Sequence, residues 1–171
     1  MQEAALLLGR PAKELVAAIG DLLNQLKAGD RERRAMQAEL AVVQAKRLKA
    51  SGTVISGSTY ISAKVERIDR EQLKLLADAV RGTLKGEGVV LLVSHEGDQI
   101  AWVMAVTAKT AKHVHAGQVL KAVSALTQGT GGGRPDFAQA GGRDVSRIPE
   151  ALLRAEAIVR EALSQNEKAR S

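Results

Sequence analysis

The densest run of residues able to do chemistry is Gly129-Thr130-Gly131-Gly132-Gly133-Arg134-Pro135-Asp136-Phe137-Ala138-Gln139-Ala140-Gly141-Gly142, which sets six glycines around one arginine. Glycine carries no Cβ, so such a run can turn with positive φ and aim successive backbone N–H groups at an anion. Beside Arg134 the expected result is a phosphate-binding concavity. Lys109, Lys112, His113 and His115 precede this run, and Gln139 and Arg143 decorate it. With the backbone of Gly131, Gly132, Gly133, Gly141 and Gly142 they form the expected contact set for RNA, in which cations and amides meet phosphates and 2′-hydroxyls. Asp136 would repel a phosphate. It is expected instead to fix the loop by bonding its backbone.

Other chemistries find little support. His95, His113 and His115 are the three histidines and cysteine is absent, so neither a zinc site nor thiolate chemistry is expected. Serines are plentiful, but none sits in a G-x-S-x-G elbow or beside a base at recognisable spacing. Glu66, Asp69 and Glu71 lie where a helix start already accounts for acidic residues. The glycine run lacks the Lys-Ser/Thr of a P-loop and the spacing of a dinucleotide fingerprint. The expectation is therefore no catalytic residue, no metal and no cofactor in this chain.

Composition narrows the partner. The net charge is +6, and the excess is local: residues 1–50 carry nine Lys/Arg against six Asp/Glu, and residues 109–143 carry five against one. A positive surplus around the glycine run favours a polyanion. Aromatic residues number three, Tyr60, Trp102 and Phe137, too few for a platform that stacks successive bases. No apolar run approaches the length of a membrane span, no secretory leader is evident, and the lack of cysteine fits a reducing compartment, so a soluble, cytoplasmic protein without membrane partners is expected.

These residues need a scaffold. From Pro11 to Ala50 the pattern is helical, with Leu15, Ile19, Leu22 and Leu26 in heptad steps that resume at Met36, Leu40 and Val43. Gly29-Asp30 allows two geometries, a helical hairpin that satisfies its own stripe or one long helix whose stripe needs another molecule. After Ser51-Gly52 the period changes: strands are expected at Val54-Ile55 and Tyr60–Val65 around a Gly57-Ser58 turn. Asp69 and Gln72 form a capping box before a helix with Leu73, Leu76, Ala77, Val80 and Leu84 on one face. Val89–Val93 and Ile100–Val106 read as paired strands, Val119, Leu120, Val123 and Leu126 as a helix ended by Gly129, and Ser146-Pro149 as the opening of a last helix. A short strand is expected at Phe137–Ala140. The fold class is α+β: an N-terminal long helix or helical hairpin (1–50), then a small mixed sheet covered by helices, with a C-terminal helix (51–171).

The run Gly131-Gly132-Gly133-Arg134-Pro135-Asp136, continued by Ala138-Gln139-Ala140-Gly141-Gly142, resembles the GGGRPDxAQxGG signature of the DHH-associated domain found at the C-terminus of alanyl-tRNA synthetases. The order of elements, a helical segment followed by a small α/β domain, is similar throughout. The resemblance implies a non-catalytic module that binds the outer corner of transfer RNA, where the D- and T-loops meet, and supports aminoacylation and editing. ATP and zinc then belong to modules outside this chain. The resemblance adds that some members of the family self-associate through this region and others do not; because Gly29 and Arg33 fall on the seam itself, a weak or absent homodimer through the helical arm is expected. Two rival readings stay open: a coiled-coil oligomerisation module with no direct RNA role, and a substrate-holding domain of a phosphoesterase whose Asp-His-His motif this chain lacks.

Overall fold

The structure is a computed structural model that describes the backbone of residues 15–170 and the side chains of residues 17–166. The expected start at Pro11 lies outside the described residues. Contacts divide the chain into two units, Met1–Glu39 and Leu40–Ser171.

Helix α1 (Leu15–Ala50) is continuous through Gly29-Asp30, so the long-helix alternative holds. Asp30 pairs with Arg33 across 3.3 Å on its exposed surface and does not cap a second helix. The apolar stripe is open: Leu26, Met36, Leu40 and Val43 are all more than half exposed.

In the second unit a six-stranded mixed sheet has the order β1-β2-β3-β4-β6-β5. β1 (Thr53–Ile55) and β2 (Ser58–Lys64) form a hairpin whose turn, Ser56 at φ 45° and Gly57 at φ 77°, has the two positive dihedrals that such a tight turn requires. β2 then runs parallel to β3 (Gly88–Glu96), the crossover being α2 (Arg70–Thr83). Asp69 caps α2 by accepting from the Gln72 amide at 2.8 Å, while the Gln72 side chain accepts from the Asp69 N–H, as the sequence predicts. β4 (Gln99–Val106) returns antiparallel to β3. α3 (Ala116–Leu126) follows, then β5 (Gly131–Gly133), β6 (Phe137–Gly142) and α4 (Ile148–Arg170).

Both faces of the central strands are covered, which explains why Val89–Val93 is an unbroken apolar run. Val89, Leu91 and Val93 join Trp102, Met104 and Ala138 under α3 and α4. Val90 and Leu92 join Val103, Ala105, Leu73, Leu76 and Val80 under α2, where Ala41 and Ala45 of the last turns of α1 also pack. The buried face of α4 comprises Ile148, Ala151, Ala155, Val159 and Leu163, slightly rotated from the expected Leu152–Ala162 stripe.

Tyr60 stands out in this core. It is 3 % exposed, and its hydroxyl has no partner with good hydrogen-bond geometry among the described residues. Burial pushes its phenol up to about 12 from 10.0; Ser62 partly opposes the shift and the charge of Glu156 adds to it. The folded value lies above the unfolded one, so the stabilisation is complete below pH 10 and is lost as pH rises towards 12. As the chain has one tyrosine, tyrosinate absorbance reads it directly: the native chain should titrate near 12 or unfold first, and the urea-unfolded chain near 10. A native midpoint at 10 would show that the phenol is solvated.

Candidate nucleic-acid interface

The glycine run is not the concave loop that its composition suggests. Gly131–Gly133 form an edge strand, paired with Ala140, Gln139 and Ala138 of β6. An ideal Cβ built on each glycine shows why the residue type is needed. At Gly129 it would collide with the carbonyl of Gly141, at Gly131 with Ala140, and at Gly142 with the Thr127 hydroxyl. Across the layer, a Cβ on Gly117 of α3 would strike the backbone of Gly133. These glycines serve close packing, backbone against backbone. Gly132 and Gly141 differ: the first meets nothing within 4 Å, and the second meets only Arg70 Nη2 at 3.5 Å and Ile100 O at 3.7 Å. Gly132 is paired with Gln139, and Gly141 lies two residues further along β6, so the three share one face of the sheet.

The sequence-predicted residues fall at two ends of β6. At one end, the Ala116 amide donates to Pro135 O at 3.0 Å and the Val106 amide to Asp136 O at 2.8 Å, which brings the Lys109–His115 segment to the Arg134 turn. Thr107 and Thr110 fix that segment, their hydroxyls accepting from the Gly88 amide at 3.0 and 2.9 Å. Lys109, Lys112 and His113 are exposed. His115 is the N-cap of α3, with Nδ1 accepting from the Gln118 amide at 3.3 Å.

Arg134 is exposed but not free. Its Nε lies 3.1 Å from Asp136 Oδ1 and its Nη2 donates to Oδ2 at 3.2 Å, a two-pronged pair. Arg81 of α2 donates to Asp136 O at 3.3 Å and pairs with Asp78 at 2.7 Å. Asp136 therefore holds arginine side chains, whereas the sequence suggests a bond to the loop's own backbone. The reason is geometric: its carboxylate faces two guanidinium groups. The charges of Arg134 and Arg81 are balanced by Asp136 and Asp78, while Lys109 and Lys112 remain exposed.

At the other end lie Gly141, Gly142 and Arg143, five residue steps of about 3.4 Å, or roughly 17 Å, from Phe137. The expected single surface is thus two surfaces joined by the open face of β6. An open cleft of about 470 Å³ sits here, lined by Arg70, Gln99, Gln128, Thr130, Gly141 and Arg143, with further backbone from Gly129 and Gly142. Its wall is well fixed. Thr127 O accepts from the Arg143 amide at 2.8 Å, Thr130 O from the Gly141 amide at 2.9 Å, and the Thr127 hydroxyl from Trp102 Nε1 at 3.3 Å. Arg70, Gln99 and Gln128 are the residues that sequence reading misses. A weak signal exists, because Arg70 and Arg81 are eleven apart and so share one side of α2, at the margin of its apolar face.

Among the described residues no group of three or more His, Asp or Glu is placed to hold a metal ion. No helix among them is long and apolar enough to cross a membrane.

Comparison with known proteins fits this architecture. The DHHA1 domain family matches residues 57–161. Similarity extends to alanine–tRNA ligases of Geobacillus kaustophilus (39 % identical over 153 residues, 89 % of this chain) and Acetivibrio thermocellus (34 % over 165 residues, 96 % of this chain). The chain spans 17 % and 19 % of those relatives' lengths. Among solved structures, the C-Ala domain of Aquifex aeolicus alanyl-tRNA synthetase is 33 % identical with a TM-score of 0.57, and the match covers 66 % of this chain and 97 % of that domain. A DHH-domain member of the s1p family of ribosomal proteins shares the fold at 13 % identity and a TM-score of 0.54. The chain belongs to the DHHA1 domain family, in the form represented by the C-Ala domain of alanyl-tRNA synthetase.

Gly129→Ala and Gly117→Ala should each destabilise the fold, at the upper end of the ~1–3 kcal/mol typical of overpacking, because the opposing atoms are backbone. Gly132→Ala should leave the melting temperature unchanged or slightly raised. Thermal melts followed by circular dichroism check the contrast, and equal effects at Gly129 and Gly132 would remove the packing explanation.

Proposed function

We propose that this chain is the transfer-RNA-binding C-terminal module of an alanine–tRNA ligase, non-catalytic by itself. It grips the outer corner of transfer RNA and so supports aminoacylation and editing by modules that lie elsewhere and carry the ATP and zinc sites. The observation that carries this reading is the alignment of almost the whole C-Ala domain with this chain, which itself carries the Gly131–Gly142 signature. The physical features agree. Trp102 and Tyr60 are buried and Phe137 is half-buried, so the surface offers charge and backbone in place of stacking faces. Lys109, Lys112, His113 and His115 with Arg134 at one end, and Gly141, Gly142 and Arg143 at the other, bracket the open strip of Gly132 and Gln139. A cytoplasmic setting follows from this role.

The test is the salt dependence of binding to folded alanine transfer RNA, with duplex DNA of equal charge as competitor. Several neutralised phosphates should make log affinity fall linearly with log salt, by about 0.7–0.9 per contact. Transfer RNA should win the competition. Equal binding to both would reduce the surface to a general basic patch, and no binding at moderate salt would sink the reading.

A second role rests on a separate observation, the open apolar stripe of α1. We infer that this stripe supports weak self-association. Light scattering across a concentration series should show mass rising with concentration, and Leu26→Asp should abolish the rise; a monomer throughout would overturn the inference.

A further inference from the structure

We propose that the cleft between the start of α2 and the end of β6 is a phosphate subsite, in which Arg70 and Arg143 clamp one phosphodiester group of the bound RNA. The inference rests on the RNA-binding reading above and assigns its electrostatic anchor to a different place from the glycine-arginine turn. Four observations lead there.

First, the cleft lining is cationic. It holds two arginines and two glutamines, and no carboxylate among the described residues. Neither Arg70 nor Arg143 has an ion-pair partner among the described residues, whereas Arg134, Arg81, Arg147 and Arg160 each have one. An arginine already held two-pronged by Asp136 must break that pair to take a phosphate. Arg70 and Arg143 need break nothing.

Second, the floor is bare backbone. Gly141 is a glycine whose place in the packing does not demand one, since a Cβ there would make only ordinary contacts, one of them with the Arg70 guanidinium itself. Omitting that methyl lets a ligand's oxygens approach the sheet as closely as backbone permits.

Third, donors outnumber acceptors in the lining. Planar guanidinium forks match a phosphate's paired oxygens, and the amide groups of Gln99 and Gln128 can add neutral N–H donors. Gln128 reaches Asp144 at 3.4 Å, a weak bond that a ligand can displace.

Fourth, the walls are rigid. The backbone on one side is tied to the buried Thr127, and Arg70 occupies the first turn of a helix closed by a full capping box. With the backbone fixed, the exposed side chains of Arg70 and Arg143 are what binding must order.

The experiment uses the full chain and three variants, Arg70→Gln, Arg143→Gln and, as a control remote from the cleft, Arg154→Gln on the exposed surface of α4. Alanine transfer-RNA affinity is measured over a salt series, and amide shifts of Gly129, Thr130, Gly141 and Gly142 are followed by NMR as inorganic phosphate is added. Arg70→Gln and Arg143→Gln should each weaken RNA binding about tenfold and lower the salt slope by about one contact, with the melting temperature and the control unaffected. Phosphate should shift the four amides in the parent chain and not in these two variants. Unchanged RNA affinity and slope in both variants, with the parent binding normally, would overturn the subsite and leave the RNA-binding function standing. A parent chain that shifts with phosphate yet ignores transfer RNA would overturn the functional reading and with it the RNA ligand, leaving an anion site. Absence of both responses would overturn the subsite itself.

Discussion

The close approach of bare backbone at the β5–β6 hairpin is the constraint on which the rest of this domain depends. Gly117 lets α3 settle on Gly133, Gly129 passes against the carbonyl of Gly141, and Gly142 lies on Thr127. Each contact brings main chain nearer than any side chain would permit. Their combined effect is to hold β6 in register with β4, from Ala105–Phe137 to Ile100–Gly142, and thus to place Ala138 and Ala140 in the core under α3 and α4. Without that clamp the sheet would end at β4, and Trp102 would lose its cover along one edge. The hairpin is therefore a structural closure first. Its outward face is what remains available to a ligand.

This closure explains which parts of the molecule can be read from sequence and which cannot. The Asp69–Gln72 capping box, the strands at Val89–Val93 and Ile100–Val106, and the helix ending before Gly129 all follow from local signals, and the structure has them. The glycine run is different. Glycine is equally the residue for positive φ and for close packing, and sequence alone does not separate the two. Deciding between them needed Gly117, an inconspicuous residue inside a helix that is remote in sequence from the run it touches. The expected short strand at Phe137–Ala140 is present, but its partner is the glycine run itself.

The candidate site was legible to a similar depth. Arg143, Gly141 and Gly142 are visible because they adjoin the signature. Arg70 is not, because it adjoins only its own capping residue in the chain. It reaches Gly141 because α2 crosses from β2 to β3 and packs on β3 and β4, which brings its first turn beside the end of β6. Conversely Arg134, the most conspicuous cation in the sequence, is paired to a carboxylate two residues away. Proximity in sequence does not reveal which cations folding pairs internally, as it pairs Arg134 with Asp136.

The same partition bears on how such a surface can recognise RNA. Arg134, Asp136, Arg81 and Asp78 form a nearly neutral cluster, suited to fixing the turn and to hydrogen bonding, while Arg70 and Arg143 line the cationic cleft. A strip of Gly132, Gln139 and Gly141 connects the two, with Phe137 on the same face of β6. On the RNA-binding reading proposed above, such a surface would call for a nucleic acid whose backbone presents phosphates at one end of the strip and shape-complementary sugar or base edges at the other. An extended single strand satisfies that only by losing conformational freedom, whereas a folded RNA has already spent it. On that reading the surface would favour structured RNA over flexible strands on entropic grounds, with the half-buried Phe137 as the one aromatic ring on that face.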